Sequence, residues 1–94
     1  MIKIEGNDLM RAGTKIGWFE GNDILDHDGK KLGYFSGNKV YDVDGKVLGY
    51  IEGNLIKTPG MSGSGIRVDE NHTEISGGEL SDIGRAAVRL LLGD

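Results

Sequence analysis

The sequence predicts a mainly β domain, four β-hairpin repeats closed into a pseudo-fourfold barrel or rosette, with one C-terminal α-helix. Three observations carry that prediction. A Gly-Asn pair returns at Gly6-Asn7, Gly21-Asn22, Gly37-Asn38 and Gly53-Asn54, at a spacing of 16 residues after a first interval of 15. Apolar residues alternate on either side of each pair, as half-buried strands require. Glycine supplies 17 of the 94 residues against a single proline, the composition of a chain built on turns.

The repeats occupy residues 1–58. The blocks IGWFEGNDILDHDGKK from Ile16, LGYFSGNKVYDVDGKV from Leu32 and LGYIEGNLIKT from Leu48 align, and MIKIEGNDLMRAGTK is a worn first copy. Gly-Asn between alternating segments is a two-residue hairpin loop, because both residues tolerate positive φ. It pairs Glu20 with Asp23, Phe19 with Ile24 and Trp18 with Leu25. One face then carries Phe19 and Ile24, Phe35 and Val40, Ile51 and Ile56, and Ile4 and Leu9; that face is the predicted core. The second turn, Asp26-His27-Asp28-Gly29 and Asp42-Val43-Asp44-Gly45, suits a type I turn with a left-handed Gly. A three-residue loop pairs Leu25 with Lys31. A four-residue loop pairs Leu25 with Leu32, and its bulge-free alternation makes it the expected register. Gly17, Gly33 and Gly49 share one repeat position. They either make room on the core face where strands converge or mark bulges, and both readings predict strong curvature.

Residues 59–78 read as a small-residue linker, PGMSGSG, followed by a short hairpin within Ile66–Ser76 that turns at Asp69-Glu70-Asn71-His72. Residues 79–92 read as a helix. Leu80, Ile83, Ala87, Leu90 and Leu91 fall within about 100° of its wheel, and Ser81, Asp82, Arg85 and Arg89 lie opposite. Adding Ala86 and Val88 widens the apolar arc to about 200°, more than one contact surface usually needs. All three segments form one domain. The helix is expected to cap the open end of the hairpin array.

The LGYFSGN and LGYIEGN elements, alternating with DVDGK-type turns, resemble the bacterial four-fold beta-flower domain. A weaker resemblance is to PRC-barrel domains, whose D-x-x-G-K-x-x-G phrase is similar to Asp42–Gly49. The first resemblance implies the hairpin-repeat fold and no catalytic residue.

Composition narrows the function classes. Eleven basic and fifteen acidic residues give a net charge of −4, with no basic stripe for a nucleic acid. The absence of cysteine removes disulfides and thiol chemistry. Neither a signal sequence nor a membrane span is read, so a cytoplasmic location is the expectation. The D-x-D-G turns lack the acid at position 12 of a calcium loop, where Gly37 and Gly53 stand. GMSGSG has neither the Lys of a phosphate loop nor the G-x-S-x-G spacing around Ser62 and Ser64. His27 and His72 show no ligand spacing. No catalytic residue, cofactor or metal is assigned.

One candidate site stands out. Trp18, Tyr34 and Tyr50 recur at one repeat position opposite the core, with Tyr41 across the strand from Tyr34. This face is either a second packed layer or a binding face. The expected role is a non-enzymatic binding or assembly module with a protein partner or self-association. A small-ligand or carbohydrate-binding module is the alternative, and a hydrolase comes third.

Overall fold

The computed structural model describes residues 1–59 and 65–93. The chain runs β1 (Ile2–Glu5), β2 (Asp8–Arg11), β3 (Thr14–Glu20), β4 (Asp23–Asp26), β5 (Lys31–Ser36), β6 (Lys39–Asp42), β7 (Val47–Glu52), β8 (Leu55–Lys57), β9 (Ile66–Arg67), α1 (Val68–Glu74), β10 (Ile75–Ser76) and α2 (Asp82–Leu92). Of the predicted linker, residues 60–64 lie outside the described residues, and with them the reading of Ser62 and Ser64.

Hairpin register follows from turn chemistry. Glu20 faces Asp23, Phe19 faces Ile24 and Trp18 faces Leu25, and the next hairpin repeats this with Ser36–Lys39, Phe35–Val40 and Tyr34–Tyr41. In each Gly-Asn loop only the glycine has positive φ, between +58° and +63°, which fits a II′ turn with Gly at its first central position. The Asn carbonyl of each hairpin then accepts the N–H of the next core residue: Asn7 from Phe19, Asn22 from Phe35, Asn38 from Ile51 and Asn54 from Val68. This latch joins successive copies.

The second turn departs from the expected register. Leu25 faces Lys31, not Leu32, and Ile24 faces Gly33, so Leu32 is an extra residue in a bulge. Equivalent shifts follow Leu9 and Val40. Two gains outweigh simple alternation. The Asp26 carboxylate accepts the N–H groups of Asp28 and Lys30 at 2.9 and 3.0 Å, and Asp42 does the same for Asp44 and Lys46. The bulge also lets Ile16 and Leu48, the counterparts of Leu32, pack against the core. Bulges bend the strand that carries them, so three at one repeat position curve the sheet.

The ten strands among the described residues form one sheet in the order β10-β1-β2-β3-β4-β5-β6-β7-β8-β9. The expected closed barrel is therefore corrected: the sheet is open, with β9 and β10 as its edges. The short hairpin expected within Ile66–Ser76 is corrected too. Its two arms exist, but α1 stands between them, and β10 pairs in parallel with β1 instead of turning back on β9.

The core lies between the sheet and α2. Ile2, Ile4, Leu9, Ile24, Phe35, Val40, Ile56 and Ile75 pack with Ala86, Ala87 and Val88. Leu91 and Leu90 press on Gly33 and Gly49: a Cβ at those positions would lie 2.9 Å from Leu91 Cδ2 and 2.6 Å from Leu90 Cδ1. Close approach is why these strands carry glycine. The helix starts with Ser81 as N-cap, its hydroxyl accepting the Gly84 N–H at 3.2 Å.

The wheel placed Arg85 toward solvent, and the structure buries it to 6% exposure. Residues 75–80 wrap the far side of α2 and present backbone carbonyls to it. The Arg85 guanidinium donates to the carbonyls of Leu80, Ile75, Gly77 and Gly78 at 2.8 to 3.2 Å. Arg89 donates to the buried Asn71 side chain of α1, and Arg11 from β2 reaches the Leu92 and Gly93 carbonyls at the C-terminal end of α2. The wide apolar arc has this explanation: α2 is packed on two sides.

Candidate binding face

On the sheet face turned away from α2, strand pairing sets three rows. They are Asp8–Trp18–Leu25–Lys31, Asp23–Tyr34–Tyr41–Val47 and Lys39–Tyr50–Lys57. Trp18, Tyr34, Tyr41 and Tyr50 are all half-buried. Alternation alone puts them here, because Gly17, Phe19 and their equivalents face the core. The structure brings Tyr34 and Tyr41 into a stack, with ring centres 4.9 Å apart and planes inclined by 16°. Trp18 and Tyr50 make no ring contact with the other aromatic residues among the described residues.

Two lysines stand over the first two of these aromatic positions. Lys15 Nζ lies 4.8 Å from the Trp18 ring centre, and Lys31 Nζ lies 4.8 Å from that of Tyr34. Each is held there by an acid one strand away, Asp8 at 3.0 Å and Asp23 at 3.3 Å. Sequence reasoning missed these lysines, yet the signal was present as a lysine three residues before each aromatic residue. Trp18 Nε1 also donates to Glu20 at 3.0 Å. In the third row Lys57 bonds Glu52 at 2.9 Å, and this hydrogen bond, with the attraction of the carboxylate, raises the Lys57 pKa above its ordinary value.

The remaining polar groups are accounted for locally. His72 Nε2 lies 2.5 Å from Asp82 Oδ1 and ties α1 to the start of α2. It borders a shallow concavity of about 330 Å³ shared with Asn54, Arg67 and Asp69. No serine or threonine hydroxyl bonds His72 among the described residues. Among the described residues His27 approaches only Asp28, at 3.6 Å in an exposed turn. Asp26 and Asp42 are engaged as turn caps. No group of three or more His, Asp or Glu side chains is placed to hold a metal among the described residues. No helix among them is long and apolar enough to cross a membrane.

A single curved sheet of repeated Gly-Asn hairpins, packed around one helix, defines a hairpin-repeat protein whose distinguishing surface is aromatic. The family model of the 4-fold beta flower protein matches residues 9–70, well over half the chain, and the protein belongs to that family. Comparison with curated proteins and with solved structures gave no match. Membership brings no assigned activity with it.

Proposed function

We propose that the protein is a non-enzymatic binding or assembly module that works in the cytoplasm and meets its partner with the face of Trp18, Tyr34, Tyr41 and Tyr50. One observation carries the reading. Large aromatic residues occupy one repeat position on three successive odd-numbered strands, on the face that α2 leaves uncovered. The core does not need them there, since its own apolar set is complete on the other face. Half-exposed tyrosine and tryptophan supply large contact area at small entropic cost, which is why they are enriched where proteins meet partners. A carbohydrate platform fits less well, because lysines already occupy a ring face of Trp18 and of Tyr34.

A photo-crosslinking residue tests this in the native host. Placed at Tyr34 it should trap a defined partner, and placed at His27 in the rim turn it should trap none. Trapping at residue 27 without trapping at residue 34 would move the binding surface elsewhere.

A further inference from the structure

The outer face keeps one pattern in two copies and breaks it in the third. In the first two, an aromatic ring (Trp18, Tyr34) carries the lysine three residues before it (Lys15, Lys31), and an acid across the strand (Asp8, Asp23) holds that lysine. Each set is electrically neutral, with one side of the ring occupied. In the third copy both helpers change together. The lysine position holds Val47, and the acid position holds Lys39, directly across the strand from Tyr50. Tyr50 therefore has no cation stacked on its ring among the described residues, and the charge at its side is reversed. Lys39 is exposed and has no ion-pair partner among the described residues. Lys57 on the other flank is already occupied by Glu52. Val47 sits against Tyr41, which extends the apolar surface toward the Tyr34–Tyr41 stack.

We propose that the surface of Lys39, Tyr41, Val47 and Tyr50 docks an acidic peptide segment of a partner protein, with a carboxylate on Lys39 and an apolar side chain on Tyr50 and Val47. This rests on the outer face being the binding surface and names its occupant. The dimensions fit a peptide. Lys39 and Tyr50 stand on adjacent strands, about 5 Å apart, while an extended chain repeats its same-side residues about every 6.6 Å. One acid and one apolar residue two places on thus reach both groups. The net charge of −4 opposes an acidic segment at long range, so an anion held here needs the apolar contact as well as the unpaired lysine. A peptide supplies both.

Two-dimensional NMR titration tests the site with four probes: three peptides of equal length that alternate leucine with glutamate, glutamine or lysine, and a single-stranded oligonucleotide of matched charge. The full chain is compared with the double variant Lys39→Asp, Val47→Lys, which rewrites the third copy in the pattern of the first two and so preserves the fold. The glutamate peptide should shift Lys39, Tyr41, Val47 and Tyr50 signals and weaken with added salt. In the double variant its affinity should fall at least about tenfold at unchanged melting temperature. Equal affinity for the double variant, or shifts centred on Trp18, would overturn the site while leaving the outer face as the binding surface. Tighter binding of a single-stranded oligonucleotide of matched charge would overturn the peptide as occupant. No shift on the outer face with any probe would overturn the inference, and the crosslinking result at Tyr34 then decides the wider reading by itself.

Discussion

In the regular copies, the residue two places after Ile4, Phe19, Phe35 and Ile51 is a glycine, with φ between +58° and +63°. In the segment after Gly65, Val68 occupies the same place as Phe19, Phe35 and Ile51. Its N–H is latched to Asn54 as theirs are to Asn7, Asn22 and Asn38. Arg67 then stands where Trp18, Tyr34 and Tyr50 stand, and Asn71 aligns with the asparagine of each Gly-Asn pair. Two places after Val68, however, comes Glu70. A non-glycine residue pays roughly 1–2 kcal/mol in the left-handed region, and glutamate is a good helix former. The chain enters a two-turn helix where the others turn back. Residues 66–76 are thus a fifth copy whose hairpin has become α1, and the match to the family ends at Glu70. The segment lacks a glycine at the one repeat position where every regular copy has one.

In the regular region, large effects should come from the glycines that touch something. Gly33→Val places a side chain against the Tyr41 carbonyl and Leu91, and Gly49→Val places one against the Lys57 carbonyl and Leu90. Each should lower stability by at least about 2 kcal/mol in urea denaturation. An unchanged midpoint would mean that the helix does not bear on the sheet there. In the irregular region the counterpart is Arg85. Arg85→Ala leaves four carbonyls, the Ile75 carbonyl among them buried, without their charged donor and should cost about 3 kcal/mol. Hydrogen exchange should show the loss first in β10 and the start of α2, with the β4–β5 hairpins still protected. Simultaneous loss everywhere would show that the two regions unfold as one unit.

How much of this was readable depended on whether structure followed from local chemistry. The Gly-Asn hairpins, their register and the core face from Ile4 to Ile56 were legible, because a two-residue turn and an alternating pattern fix them over a few residues. The second turn was legible only as a turn. Choosing between Lys31 and Leu32 as partner of Leu25 required knowing that the Asp26 carboxylate would cap two backbone N–H groups. The placement of Arg85 was not legible at all: a helical wheel reports sequence periodicity, whereas burial here follows from the six residues 75–80 that wrap the helix. For the candidate face, the aromatic repeat could be read from position, but the lysines over Trp18 and Tyr34 needed the bulge that brings residues 15 and 31 back over the rings.

A smaller effect isolates backbone conformation from contact. At Gly37 an added Cβ meets nothing within 4 Å, so Gly37→Ala costs only the left-handed φ of +61°. That should be about 1 kcal/mol, no more than about half the loss at Gly49→Val. Equal losses at the two sites would remove the distinction between a glycine kept for conformation and one kept for close approach.

The smallest expected change in stability belongs to the residue that separates the two regions. Glu70→Gly weakens α1, since glycine costs about 1 kcal/mol relative to a good helix former in a helix interior. The same change supplies the left-handed residue that a II′ turn needs at its first central position. Asn71 already stands at the second. The two effects oppose each other, so the net loss of stability should stay under about 1 kcal/mol while the local structure changes. Carbon chemical shifts of residues 68–74 should move from helical toward extended values, and β10 should exchange its parallel partner β1 for antiparallel pairing with β9. Against this stand the buried Asn71, held by Arg89, and the His72–Asp82 contact, both of which favour the helix. Combining Glu70→Gly with Arg89→Ala removes the first of these and should complete the shift. If the shifts of residues 68–74 stay helical in both variants, packing against α2 decides this segment, and the missing glycine does not.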